Sequence, residues 1–322
     1  MPAQSGADPR FVIFITEPKE HPSLDVLRSI GEVRTGHRNR RYSETELAAE
    51  LRDCDAVLVT SRDRITRAVI EAAPRLKIIS KYGARPENVD LEAASEHGIR
   101  VLSTPWANPD SVAEHAILLL LAVLRRLIQV SAHVRAGGWR DTVRPSVELK
   151  GKTVGLVGLG GVGSRVAEKL GGFGVHLLAV DPYLSPDRAA PLGVKLVDLD
   201  ALLSEADIIT LHAMVTPETR HMIGEAQLRK MRPSAVLVNT ARGALVDEAA
   251  LLRALQEGWI AGAGLDVFEE EPVAADNPLL ALDTLVATPH VAANTQEAIE
   301  RELSWAAEDV TRVLLGGSPK YC

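Results

Sequence analysis

Val154-Gly155-Leu156-Val157-Gly158-Leu159-Gly160-Gly161-Val162-Gly163 decides the reading of this chain, because a short apolar strand runs directly into G-x-G-x-x-G. A second apolar run, Leu177-Leu178-Ala179-Val180, ends in Asp181, 18 residues beyond Gly163. Gly158 permits the tight turn off the strand, Gly160 lets the backbone approach a pyrophosphate, and Gly163 lets the next helix pack closely on the sheet. That helix, with Gly161 and Val162 in its first turn, offers unpaired N–H groups to phosphates. Asp181, at a strand end, can accept hydrogen bonds from ribose hydroxyls. A lone G-x-G-x-x-G is as readily a tight turn; a strand before it, a helix after it and a strand-end acid about 20 residues on make it a dinucleotide site. A carboxylate at 181 repels the extra phosphate of NADP, and Pro182 and Tyr183 supply no cation beside it, so the expected cofactor is NAD.

Working outward, 322 residues suit about two domains. Apolar residues make up 46% and charged residues 25%, the balance of an ordinary globular protein. A net charge of −7 argues against a nucleic-acid or anionic-membrane partner. Cys54 and Cys322 fit no metal-ligand spacing and no disulfide framework, so no metal and a reducing cytoplasm are expected. Met1 to Arg10 lacks the apolar core of a signal peptide. The aliphatic block Ala116 to Leu124, between Glu114-His115 and Arg125-Arg126, is too short to span a bilayer and reads as a buried helix.

Strand-like and helix-like segments alternate from end to end, the pattern of parallel sheets flanked by helices. In the first hundred residues strands are expected at Phe11–Ile15, Ala56–Thr60, Leu76–Ser80 and Arg100–Leu102. Asn108-Pro109-Asp110 starts a long helix expected to run to about Arg135, with Gly137-Gly138 breaking it. Six further strands follow, at Thr153–Val157, His176–Val180, Asp207–Leu211, Ala235–Asn239, Gly262–Leu265 and Thr284–Ala287, before an amphipathic helix over Thr295–Leu315. The expected fold is α/β, with two doubly wound parallel-sheet domains and a cleft between them.

In an open parallel sheet, ligands bind beyond the carboxyl ends of the strands. Those ends carry Asp181, His212, Thr240-Ala241-Arg242-Gly243, Asp266 with Glu269-Glu270-Glu271 beyond it, and Thr288-Pro289-His290. A redox enzyme acting on a hydroxy acid needs a cation for the substrate carboxylate, for which the arginine fork is suited. It also needs a base for the hydroxyl proton, and histidine serves near neutral pH. A neighbouring carboxylate would orient the ring. Position alone does not choose between His212 and His290, and the same residues read singly as capping or solvated groups.

Together, Ser111-Val112-Ala113-Glu114-His115, the glycine loop, Val238-Asn239-Thr240-Ala241-Arg242-Gly243, Leu265-Asp266-Val267-Phe268-Glu269-Glu270-Glu271-Pro272 and Thr288-Pro289-His290 resemble the D-isomer-specific 2-hydroxyacid dehydrogenases, the family of phosphoglycerate, glycerate and D-lactate dehydrogenases. The resemblance covers nearly the whole chain, from Lys81-Tyr82-Gly83 and Asn88-Val89-Asp90 to the last helix. It implies that Arg242 binds the substrate carboxylate and carbonyl, that His290 is the acid/base and that Glu271 pairs with His290. Glu269 and Glu270 then fall outside the motif, as solvated residues. Asp266 would bond the nicotinamide carboxamide, while His212, Thr216, Thr240 and Ala241 would line the cofactor. The implied layout is a flavodoxin-like substrate domain from 1–104 plus 293–322 and a Rossmann NAD domain from 105–292. A homodimer through the NAD domain and the long helix is also implied.

Two departures stand out. The substrate loop of the family, Gly-x-Gly-x-Asp, here reads Gly83-Ala84-Arg85-Pro86-Glu87. Pro86 has no N–H to donate, and Arg85 either meets a second anionic group on the substrate (a phosphate, phosphonate or carboxylate) or faces solvent or pairs with Glu87. His212-Ala213-Met214-Val215-Thr216 lacks the proline common after that histidine. The expected substrate is thus a small 2-hydroxy or 2-keto acid met by Tyr82, Gly83, Ala84, Arg85 and Arg242. The rivals are a phosphite dehydrogenase-like enzyme and a non-catalytic NAD-sensing scaffold of the corepressor type. Formate dehydrogenase carries Gln where Glu271 stands.

Overall fold

The computed structural model describes residues 10–17, 20–36 and 41–322. The stretch before Arg10, read above for a signal core, lies outside them. The chain divides into two compact units, 1–108 with 295–322 and 109–294; the sequence placed these boundaries at 104/105 and 292/293.

The first unit holds a five-stranded sheet of β1 (Val12–Ile15), β2 (Glu32–Thr35), β3 (Ala56–Val59), β4 (Ile78–Lys81) and β5 (Arg100–Ser103), in the order β2-β1-β3-β4-β5. Every pairing is parallel, and this order is that of flavodoxin-like sheets. Parallel sheets need helices on both faces, which is why β1, β3 and β4 are buried throughout. One face packs Phe14, Val57 and Ile79 against Leu47, Leu51, Val69 and Ile70. The other packs Ile13, Ile15, Leu58 and Ile78 against Leu303, Ala306, Ala307 and Val310 of the last helix, Gln296–Leu314.

The second unit adds seven parallel strands: β6 (Thr153–Val157), β7 (His176–Val180), β8 (Val194–Leu196), β9 (Ile208–Leu211), β10 (Val236–Asn239), β11 (Gly262–Leu265) and β12 (Leu285–Ala287). Their order is β12-β11-β10-β9-β6-β7-β8, a Rossmann arrangement whose direction of winding reverses at β6 and β9. The helix Pro109–Leu124 begins at the expected proline and buries Ala116, Leu119, Leu120 and Leu124. It lies close on the sheet because β11 is glycine-rich. A Cβ at Gly262 would meet Val123 Cγ1 at 2.8 Å, and one at Gly264 would meet Leu119 Cβ at 3.0 Å.

Two expectations need correction. The sequence placed four and six strands; the structure has five and seven, adding β2 and β8. Both lie at sheet edges and are only partly buried, so they lack the continuous apolar run by which the others were found. The long helix does not run unbroken to Arg135. It stops at Leu124, Arg126 turns through φ 52°, and a second helix, Leu127–Arg135, leaves at 62°. That second helix buries none of its residues. No single helix among the described residues is long and apolar enough to cross a membrane.

Candidate active site

The glycine loop joins β6 to the helix Gly161–Leu170. Gly158 sits at φ +94°, where a side chain would strike the His212 carbonyl at 2.9 Å. A Cβ at Gly163 would lie 2.1 Å from the Gly158 carbonyl oxygen, so only glycine lets the helix start this close to the turn. At Gly160, by contrast, a Cβ would meet nothing within 4 Å. The protein has no internal need for glycine there, and the bare exposed backbone fits a pyrophosphate laid against it. Asp181 accepts hydrogen bonds from the Leu159 N–H (2.9 Å) and the Tyr183 N–H (3.0 Å), which fixes the carboxylate beside the loop. These residues fit a dinucleotide.

Beneath the loop, His212 is largely buried, with its Nδ1 shielded from solvent. Its Nε2 is 3.0 Å from Thr210 Oγ1 while Nδ1 has no partner, and burial pushes its pKa down to about 3. The ring is therefore neutral at physiological pH. The Thr240 hydroxyl is likewise buried without a partner. Thr216 anchors the following turn, its N–H donating to Thr219 Oγ1 at 2.7 Å.

The reactive groups stand at the carboxyl ends of β10, β11 and β12. Asn239, the last residue of β10, shapes the turn after it. Its amide donates to the Arg242 carbonyl at 2.8 Å and its Oδ1 accepts from the Ala241 N–H at 3.0 Å. Arg242 is thereby projected half-buried, with one guanidinium N–H on the Ala241 carbonyl at 2.7 Å. Gly243 then passes so close to the next segment that a Cβ would overlap the Phe268 carbonyl carbon at 1.9 Å.

His290 Nδ1 lies 2.6 Å from Glu271 Oε2, and the other Glu271 oxygen accepts the Phe268 N–H at 3.1 Å. Burial pushes the Glu271 carboxyl up, but the hydrogen bonds from His290 and the Phe268 N–H and the charges of His290 and Arg242 outweigh it, holding it below the usual carboxylate range. With Nδ1 engaged, the outer ring nitrogen, Nε2, is the one free to exchange a proton. His290 adopts φ 54°, a strained conformation for a non-glycine residue, held by bonds from its N–H to the Asp266 and Thr288 carbonyls.

Asp266 supports that turn. Its carboxylate is fully buried and accepts from Thr288 Oγ1 (2.6 Å), the Val291 N–H (2.9 Å) and the Ala292 N–H (2.8 Å). His115 Nε2 approaches Asp266 at 3.4 Å and Thr288 Oγ1 at 2.9 Å. Burial raises the Asp266 pKa, yet these donors bring it down to about 2. These bonds tie the carboxylate to the loop that carries His290. The supporting place of His115 was not read from the sequence; its only signal was its membership of the Ser111–His115 motif.

Glu269 requires a correction. It is not simply solvated: its carboxylate pairs with His221 and its N–H donates to Glu248 Oε1 at 2.5 Å. Nothing in the spacing of His221 pointed to this. Glu270 is exposed, as expected.

In the first unit, Tyr82 and Gly83 are buried, while Ala84 and Arg85 are exposed. The Gly83 N–H donates to Thr104 Oγ1 at 2.9 Å, and a Cβ on Gly83 would sit 3.0 Å from Lys81 Nζ. Burial, with Glu17 and Glu302 nearby, drives the Tyr82 hydroxyl well above its ordinary pKa. Arg85 makes no ion pair among the described residues, with Glu87 or otherwise. The described residues hold no cluster suited to a metal ion.

The second unit thus combines a Rossmann sheet, a glycine loop that fits a dinucleotide, and a His–Glu pair with Arg242 close by. Residues 117–292 match the model of the D-isomer specific 2-hydroxyacid dehydrogenase NAD binding domain. Over 307 residues the chain is 42% identical to D-3-phosphoglycerate dehydrogenase of Archaeoglobus fulgidus, covering 94% of this chain and 57% of that protein. Over 314 residues it is 41% identical to glyoxylate reductase of Thermofilum pendens, covering 95% and 92%. The chain thus spans little more than half the length of the first of these relatives. Among solved structures, the TT0316 protein from Thermus thermophilus superposes with a TM-score of 0.91 at 37% identity, covering 96% of this chain and 99% of that one. The chain belongs to the D-isomer-specific 2-hydroxyacid dehydrogenase family and carries its NAD-binding domain.

Proposed function

We propose that this protein is an NAD-dependent D-2-hydroxyacid dehydrogenase that works as a reductase of small 2-keto acids. The observation that carries the reading is the His290–Glu271 pair at 2.6 Å, in the unit that bears the dinucleotide loop and Arg242. Gly158, Gly160, Gly161, Val162, Gly163 and Asp181 would hold NADH, which when bound would supply the hydride for C2. Arg242 holds the substrate carboxylate and polarises the carbonyl. Glu271 fixes Nδ1 of the ring, so protonated His290 delivers its Nε2 proton to the forming hydroxyl oxygen. In the reverse direction the neutral ring takes that proton. His212, Thr216, Thr240 and Ala241 are assigned to the cofactor, with His212 neutral against it.

Substrate choice is assigned to the loop Tyr82-Gly83-Ala84-Arg85. Arg85, exposed and without an ion pair among the described residues, favours a substrate with a second anionic group. The free thiols of Cys54 and Cys322 agree with a reducing, cytoplasmic setting. The uncovered apolar residues Leu118, Leu127, Ile128, Val134 and Trp139 of the second unit support a homodimer.

The test is NADH oxidation with glyoxylate, pyruvate and hydroxypyruvate against phosphonopyruvate and phosphohydroxypyruvate. Arg242→Ala and His290→Ala should each lower turnover by roughly a hundredfold or more. If Arg85 meets a second anion, the charged substrates win by about tenfold, and Arg85→Ala erases the gap. NADH binding without turnover of any 2-keto acid would sink the reading in favour of an NAD-sensing scaffold.

A further inference from the structure

Only three described non-glycine residues have positive φ: Arg126, His221 and His290. The two histidines among them each pair with a carboxylate of the same three-residue run, His290 with Glu271 and His221 with Glu269. Backbone strain of this kind persists only where the surroundings over-determine it, and it gathers at working sites.

The backbone around His221 shows what it joins. Its N–H donates to the Ala244 carbonyl at 2.8 Å, and Ile223 exchanges bonds with Leu245 (3.1 Å) and Asp247 (3.1 Å). His221 is therefore fastened by its main chain to the strap that follows Arg242. Its ring reaches Glu269, whose own N–H is held by Glu248, itself bonded to Asn277 Nδ2 at 3.4 Å. Between strap and segment, Gly243 packs directly on the backbone of Phe268 and Glu269. From Phe268 the N–H runs to Glu271 Oε1. One continuous set of bonds thus links the turn presenting Arg242 to the carboxylate orienting His290.

We propose that His221 and Glu269 form a second histidine–carboxylate pair that positions the first, clasping the Arg242 strap to the Phe268–Glu271 segment so that guanidinium and imidazole keep a fixed separation. His221 is thus assigned as a positioning residue, acting through the strap and the segment it joins. The inference rests on the assignment of Arg242, Glu271 and His290 as the reacting set.

The test uses His221→Asn, which tolerates the left-handed backbone but is too short to reach Glu269, together with Glu269→Ala and His221→Gln, which keeps a donor of similar reach. Two readouts are taken. In proton NMR, the His290 Nδ1–H signal, assigned by its loss in His290→Ala, should move upfield or broaden in His221→Asn and Glu269→Ala and recover in His221→Gln. In steady state, kcat should fall roughly tenfold or more in the first two variants, with NADH affinity unchanged and partial recovery in His221→Gln. An unmoved His290 signal in folded His221→Asn overturns the clasp whether or not the protein turns over any 2-keto acid. If the signal moves as expected while wild type reduces no 2-keto acid, the clasp stands and the assigned reaction falls.

Discussion

His290 keeps nearly half of its side-chain surface open to solvent, whereas Asp266 beneath it has none. An ionised carboxylate in that position is tolerable only because four donors surround it. Its pKa of about 2, against 3.8 in the unfolded chain, fixes a pH dependence. A depressed carboxyl stabilises the folded state fully above the unfolded value and loses that contribution as pH falls toward the folded one. The depression is worth about 2 kcal/mol. Asp266→Asn should therefore melt well below wild type at pH 7, and the gap should narrow between about pH 4 and pH 2. Thermal melts of both proteins across that range check it; a gap constant with pH would show that the charge does not matter. Much of this scale was legible in the chain, since Arg242, Glu271 and His290 stand at strand ends within a recognisable pattern. His115, His221 and Glu269 were not, because their partners lie 48 or more positions away in sequence and no periodicity encodes such a meeting.

Among the elements, the glycine loop shows one motif serving two different ends. Gly163 is required by the fold and Gly160 is not. Gly160→Ala should leave the melting temperature of the ligand-free protein unchanged and weaken NADH binding by roughly tenfold, about 1.4 kcal/mol. Gly163→Ala should instead destabilise the protein by about 1–3 kcal/mol, as overpacking does. Calorimetric unfolding and NADH fluorescence titration separate the two, and equal melting temperatures for both variants would contradict the packing argument. Elements buried on both faces announced themselves by unbroken apolar runs, as β3 and β10 do. β2, reading Glu-Val-Arg-Thr, and β8, reading Val-Lys-Leu, did not. An edge strand needs only half an apolar surface, and at three or four residues half a surface is too little pattern to read. The break at Arg126 was hidden for another reason: arginine is an ordinary helix residue, Leu127 and Ile128 resume the apolar pattern just after Arg125-Arg126, and only a backbone angle marks the turn.

At the scale of the molecule, those same residues stand about half exposed. The helix Leu127–Arg135 bends 62° from the helix before it and has no fully buried residue, while Leu127, Ile128, Val134 and Trp139 are 47–69% exposed. A cluster of this kind on a folded unit marks an interaction surface. Wild type should sediment as a dimer, and the double variant Leu127→Glu/Ile128→Glu as a folded monomer; a monomeric wild type at micromolar concentration would remove the homodimer. The division of the chain was readable from the alternation of strands and helices, but not which strands share a core with the last helix. That helix has a further consequence, one of timing. Residues 109–294 form a unit uninterrupted in sequence, so everything it needs leaves the ribosome in one passage. The other unit begins first and finishes last. Ile13, Ile15, Leu58 and Ile78 emerge early, yet the residues that cover them, Leu303, Ala306, Ala307 and Val310, are made about two hundred or more codons later. Throughout that interval the nascent chain carries an open apolar sheet face, and its guarding falls to whatever meets it during synthesis.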